Sequence, residues 1–133
     1  MTSPTAAVPG LGAYRESVTL PFPHLVVALR NKLGAQLVAY LGGVTDTKAV
    51  RQWAAGERRP TQVVEHRLRL VYQVAGVLAE TTRTAAVVQA WFMGANPALD
   101  DRSPARVLRD HPVDEVSPLV LAAARAFVGG ADF

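Results

Sequence analysis

Thr47, Lys48, Arg51 and Gln52 stand at i, i+1, i+4 and i+5 in the run TDTKAVRQWAAGERRP. On a helix that spacing gathers a hydroxyl, an ammonium, a guanidinium and an amide on one face. These groups can read base edges, because arginine pairs bidentately with guanine O6 and N7 and glutamine with adenine N6 and N7. Ala49, Val50 and Trp53, at i, i+1 and i+4, make the opposite, apolar face. Arg58 and Arg59 follow between Gly56 and Pro60, and with Arg67 they are the candidate phosphate contacts. A merely solvated helix also presents a basic face, so residue types alone leave both readings open.

Other chemistries find little support. There is no cysteine, which excludes disulfides, thiolate nucleophiles and zinc sites built on Cys. His24, His66 and His111 fall in three separate segments with no HExxH spacing. Asp100-Asp101 reads as a solvated turn more readily than as an acid/base pair. No serine sits in a nucleophile elbow, and no glycine-rich phosphate loop follows a strand. The expectation is a binding protein without catalytic residues, metal ligands or cofactors.

The elements that must position the polar face are two short helices at a sharp turn. In the first, Leu37, Val38 and Leu41 share a stripe, and Gly42-Gly43 stops it. Asp46 can start the second by accepting from backbone N–H groups two or three residues on. This is the layout of a helix-turn-helix, whose second helix enters the major groove. The same pair with a glycine turn also occurs as plain scaffold in all-α domains.

Around it the chain reads as helical throughout. Pro23 suits a first turn, with Leu25, Leu29 and Leu33 following four apart and Val26 beside them. Thr61 caps a run to Glu80, about 30 Å long, with Val64, Leu68, Val71, Tyr72, Ala75 and Leu78 inside and Glu65 and Arg69 on a wet face. Thr81 or Thr82 opens a helix through Val87, Val88, Trp91 and Phe92, closed at Gly94-Ala95-Asn96-Pro97. Ser103-Pro104 starts a short one covering Val107 and Leu108. The last begins near Asp114, with Ser117 before Pro118 as its cap, and passes Leu119, Leu121, Ala122, Phe127 and Val128 to Gly129-Gly130. No alternating strand occurs, so the expected fold is all-α with about seven helices. Residues 1–21, with prolines and two glycines and no apolar period, are expected to form a flexible tail.

Charge divides the chain. Residues 23–75 hold eight Lys or Arg against three Asp or Glu, a balance of +5, whereas residues 76–133 hold five Arg against seven acids, a balance of −2. Cationic density therefore concentrates around the helix pair, as phosphate binding would favour. Half of the residues are hydrophobic, enough for a true core. No run approaches the roughly 18 apolar residues of a membrane helix, and a signal-peptide order is missing, so a cytoplasmic protein without membrane partners is expected.

The segment AWFMGANPALDDRSPARVLRD resembles the C-terminal toxin-binding domain of the Xre/MbcA/ParS antitoxin family, partners of RES-domain toxins. The likeness lies in Trp91 and Phe92, then Asn96-Pro97, Leu99, Pro104 and Leu108, and in a final helix ending in glycine just before the C-terminus. Singly these residues say little, since Asn-Pro is a common turn and tryptophan a common core residue. With the preceding helix pair, the resemblance spans about residues 23–133. It implies an Xre-like helix-turn-helix subdomain over 22–75 and a helical toxin-binding subdomain over 76–133. It further implies an antitoxin that binds double-stranded operator DNA, represses its own promoter and covers the active site of an NAD-degrading RES-type toxin. The residues in the matching places for toxin contact are Trp91, Asn96, Pro97, Arg125, Gly129, Gly130, Asp132 and Phe133. A homodimer, or a larger hetero-oligomer with toxin, nucleoid-associated when on DNA, is the expected assembly. The other reading is a stand-alone transcriptional or nucleoid-associated regulator. The turn Gly42 to Asp46 is one residue longer than is common in Xre-like pairs, so the outward or inward facing of Lys48 and Arg51 decides whether the second helix can read bases.

Overall fold

A computed structural model describes residues 11–81 and 84–130 and places eight α-helices and one 3-10 turn among them, with no strand. The helices are α1 (Leu11–Thr19), α2 (Phe22–Leu33), α3 (Ala35–Leu41), α4 (Thr47–Ala54), α5 (Gln62–Leu78), α6 (Ala85–Met93), α7 (Pro104–Asp110) and α8 (Val113–Gly129). The 3-10 turn Pro97–Leu99 lies between α6 and α7. The all-α expectation holds, and no helix among the described residues is long and apolar enough to cross a membrane.

The central element is α5, capped by the Thr61 hydroxyl, which accepts from the Val64 N–H at 3.3 Å. Leu68, Leu70, Val71, Tyr72, Val74, Ala75, Val77 and Leu78 are all buried, so its C-terminal half is apolar nearly all round, as a helix packed on several sides must be. At about 1.5 Å per residue it is about 25 Å long, and α1, α2, α3 and α8 pack on it. One contiguous apolar cluster runs from Phe22 to Ala124. Position 75/76, drawn as a subdomain boundary, lies inside α5.

Of the expected tail 1–21, residues 1–10 lie outside the described residues. Residues 11–19 form not a tail but α1, laid against α5. The apolar residues of α1, namely Leu11, Tyr14 and Val18, point away from the core, and its buried face is Ser17 with half-buried Ala13. Tyr72 donates its O–H to Glu16 Oε1 at 2.7 Å, and Arg69 donates to the Ser17 and Leu20 carbonyls at 3.0 and 2.9 Å. These last are carbonyls that the end of α1 leaves without helical partners.

Glu65 and Arg69 are consequently not on a wet face. Both side chains are below a fifth exposed, and Glu65 accepts from Arg69 at 2.9 Å and from Arg59 at 3.0 Å. Burial raises the Glu65 carboxyl, but hydrogen bonds and charge from Arg69 and Arg59 outweigh it and hold the group below its ordinary value of 4.5. A depressed folded-state value gives stability that is complete above the unfolded value and lost as pH falls through the folded one. The urea midpoint of the wild type should therefore drop further below pH 4.5 than that of Glu65→Gln, whose midpoint starts lower and responds less to acid. Parallel acid profiles of the two proteins would refute this account of the cluster.

Two helix caps also differ from expectation. The N-cap of α6 is Thr84 rather than Thr81 or Thr82, the latter lying outside the described residues. Helix α8 begins at Val113, beside the expected start near Asp114, but Ser117 is not its cap and Pro118 lies inside the helix. Val113, Val116 and Val120, at i, i+3 and i+7, are buried, and this burial outweighs the one intrahelical bond that Pro118 cannot donate. Pro118 itself faces solvent.

Candidate nucleic-acid interface

The turn Gly42 to Asp46 is shaped by two different glycine requirements. Gly43 has φ +73°, the left-handed region that other residues rarely adopt. Gly42 has ordinary φ of −78°, and its need is space, since a Cβ there would lie 2.7 Å from Trp53 Cη2. The indole of Trp53 thus sits directly under the turn. Asp46 then caps α4 as expected, its carboxylate accepting from the Lys48 N–H at 2.9 Å.

Ala49, Val50 and Trp53 are buried and fix the roll of α4 against α2 and α3. Trp53 also meets the Phe22 ring of α2 edge to face at 6.3 Å. With that face inward, Lys48 and Arg51 are exposed and Thr47 and Gln52 half-exposed. The longer turn has therefore not rolled the cations inward. A shallow depression of about 390 Å³ runs along this side, lined by Thr45, Asp46, Lys48, Gln52 and Arg58 among others.

The three candidate phosphate contacts separate. Arg58 is exposed in the loop between α4 and α5. Arg59 is 68% exposed but bound to Glu65 through both its Nε and its Nη2, which fixes its position and offsets part of its charge. Arg67 is redirected: it is half-buried beneath the turn and donates to the Leu41 carbonyl at 2.9 Å. The end of α3 leaves that carbonyl without a helical partner, so Arg67 supports the turn rather than reaching outward. Burial, and then the charge of Arg109, lower its pKa, with Asp110 acting in the opposite direction.

A second depression, about 560 Å³, adjoins the first through the shared residues Val44, Thr45 and Asp46. Gln36 and Tyr40 of α3, Thr47 of α4 and Arg109 of α7 also line it. The Arg109 guanidinium lies over the Tyr40 ring, 4.4 Å from its centroid. None of Gln36, Tyr40 and Arg109 was expected from sequence. Gln36 and Tyr40, four apart on the first helix, carried a legible signal; Arg109, in α7, carried none.

The residues matched by resemblance are distributed unevenly over the C-terminal half. Trp91 is a core residue, 8% exposed and edge-to-face with Phe92 at 5.2 Å, so it supports a surface rather than forming one. Asn96 closes a loop on itself. Its side chain accepts from the Ala98 N–H at 3.0 Å, its carbonyl from Leu99 and Asp101, and its N–H donates to the Arg102 carbonyl. Asp100 and Asp101 inside that loop have φ of 58° and 62°, consistent with a turn. Pro97 is exposed in the 3-10 turn, Arg125 is exposed on α8, and Gly129 and Gly130 end that helix. Asp132 and Phe133 lie outside the described residues. Both α6 and α8 also expose apolar side chains: Val87 and Met93 on α6 and Leu119 and Phe127 on α8, Met93 to 60%. Among the described residues, no three His, Asp or Glu side chains converge where they could share a metal ion.

Comparison of the chain with protein-family models, curated proteins and solved structures finds no match.

Proposed function

We propose that the chain is a DNA-binding regulator, and in its fuller form an antitoxin that represses its own promoter and covers the active site of an NAD-degrading RES-type toxin. One observation carries the DNA-binding reading: buried Ala49, Val50 and Trp53 hold α4 so that Lys48, Arg51, Thr47 and Gln52 face outward together. An eight-residue helix presented this way beyond a tight turn matches what major-groove reading requires. Arg51 and Gln52 are the base-reading groups, and Arg58 and Arg59 flank them over phosphates.

The decisive experiment is a mobility shift on the duplex upstream of the chain's own gene, beside an unrelated duplex. Arg51→Ala should lower discrimination between the two by roughly 5- to 150-fold, the equivalent of the 1–3 kcal/mol that a bidentate base contact supplies. Undiminished discrimination would remove α4 as the reading helix.

The toxin half of the proposal rests on the sequence resemblance and on the exposed apolar residues of α6 and α8, which are suited to a protein partner. The stand-alone regulator is the second reading. It is favoured by the internal use of Trp91 and Asn96, whose roles in core and loop account for them without a toxin. Affinity capture of the full chain from its host, followed by mass spectrometry, separates the two: a RES-type protein recovered with it supports the antitoxin, and its absence supports the lone regulator. Operator binding as a dimer goes with either, and sedimentation measures it.

A further inference from the structure

We propose that Arg109, from α7 in the C-terminal half, is a DNA phosphate contact that stacks on Tyr40 and extends the reading surface of α4 sideways over the sugar-phosphate backbone. The inference rests on the DNA-binding reading above and adds a subsite to it. In a helix-turn-helix the first helix crosses the backbone while the second lies in the groove. Here the first helix is α3, and Gln36 and Tyr40, one turn apart on it, line the depression that Arg109 closes. That depression shares Val44, Thr45 and Asp46 with the one along α4, so Arg109 borders the same continuous surface as Lys48 and Gln52.

The chemistry of the depression suits a phosphodiester. Arg109 is exposed and has no carboxylate partner among the described residues, because the neighbouring Asp110 is engaged by Arg106 at 3.5 Å. The Tyr40 ring lies against the guanidinium, whose N–H groups have no hydrogen-bond partner among the described residues. Gln36, Tyr40, Thr45 and Thr47 add neutral amide and hydroxyl donors around it. The one acid lining the depression, Asp46, accepts from the Lys48 N–H with one carboxylate oxygen. Arg67, held on the Leu41 carbonyl under the neighbouring turn, adds a second guanidinium close to that of Arg109, with Asp110 opposing its charge. The contact also makes the C-terminal half a participant in DNA binding, through the packing of α7 on α3.

The test measures binding of the full-length chain to its upstream duplex and to a random-sequence duplex, by fluorescence anisotropy over a series of salt concentrations. It compares the wild type with Arg109→Gln, Arg109→Lys and Arg51→Ala, each checked for native near-UV circular dichroism. Arg109→Gln should weaken both duplexes by the same several-fold factor and reduce the slope of log K against log salt by about 0.9, the value for one phosphate contact. Arg109→Lys should restore most of that slope. An unchanged affinity and slope in Arg109→Gln, with discrimination lost in Arg51→Ala, overturns the subsite and leaves the DNA reading intact. Weakening confined to the upstream duplex, with the slope unchanged, overturns it as well. Failure of the wild type to bind either duplex overturns both.

Discussion

Replacing Trp53 with alanine is expected to cost about 3–5 kcal/mol of folding stability, the range for emptying a buried tryptophan site. Trp53 is 2% exposed, and its ring joins three elements: it meets Phe22 of α2, lies under Gly42 at the end of α3, and belongs to α4. No single neighbour can close the space, because each is fixed by its own helix, so the cavity term adds to the lost transfer energy. For a domain stable by about 5–15 kcal/mol this is a large share. The Nε1 atom has no hydrogen-bond partner among the described residues, so removing it sacrifices no bond. Trp53→Phe, which keeps most of the apolar ring, should therefore cost much less than Trp53→Ala. Urea unfolding at constant m checks both. An unchanged midpoint in Trp53→Ala would contradict the packing described, and equal losses in the two variants would show that the apolar ring kept by phenylalanine does not hold the site together. DNA binding, where measured, should fall with Trp53→Ala even though no contact residue is altered, since α4 loses what fixes its roll.

Gly76→Ala should release α1. A Cβ at Gly76 would lie 2.2 Å from the Ala13 Cβ, against the roughly 3.5–4.0 Å at which carbon atoms touch. Neither atom belongs to a flexible side chain, so a helix must move. Alanine is intrinsically better than glycine within a helix by about 1 kcal/mol, which opposes the clash. Overpacking of this kind costs about 1–3 kcal/mol or more. The outward shift of α1 also strains the Tyr72 bond to Glu16 and the Arg69 bonds to Ser17 and Leu20, so destabilisation wins. The expected result is a lower urea midpoint with loss of hydrogen-exchange protection concentrated in residues 11–19. Ala13→Gly in the same chain should restore most of that protection, because it removes the other carbon of the clash. Protection in Gly76→Ala equal to the wild type would show that α1 does not dock as described.

The helix pair was legible because its determinants are local. Leu37, Val38 and Leu41, then Ala49, Val50 and Trp53, repeat at helical spacing, and Asp46 caps within two residues of its own position. Helix α1 was not legible, since its inner face is small and polar and its apolar residues face outward. Its fit depends on Gly76, which no local pattern connects to Ala13. The start of α8 near Asp114 was legible, but its cap was misplaced at Ser117: Pro118 reads locally as a first-turn residue, and the burial of Val113, Val116 and Val120 against the rest of the fold puts it inside the helix instead.

By itself the sequence determined an all-helical chain, the positions of most helix ends and the polar face of α4, because caps, glycine turns and helical periodicity act over a few residues. Tertiary structure alone decided how the arginines are used. Arg67 turns under the turn between α3 and α4 to a carbonyl, Arg69 reaches back to the end of α1, Arg59 is tied to Glu65, and Arg109 comes from α7 to lie on Tyr40. A long cationic side chain goes to whichever acceptor, ring or carboxylate the packed helices bring within its reach, and those partners come from distant parts of the chain.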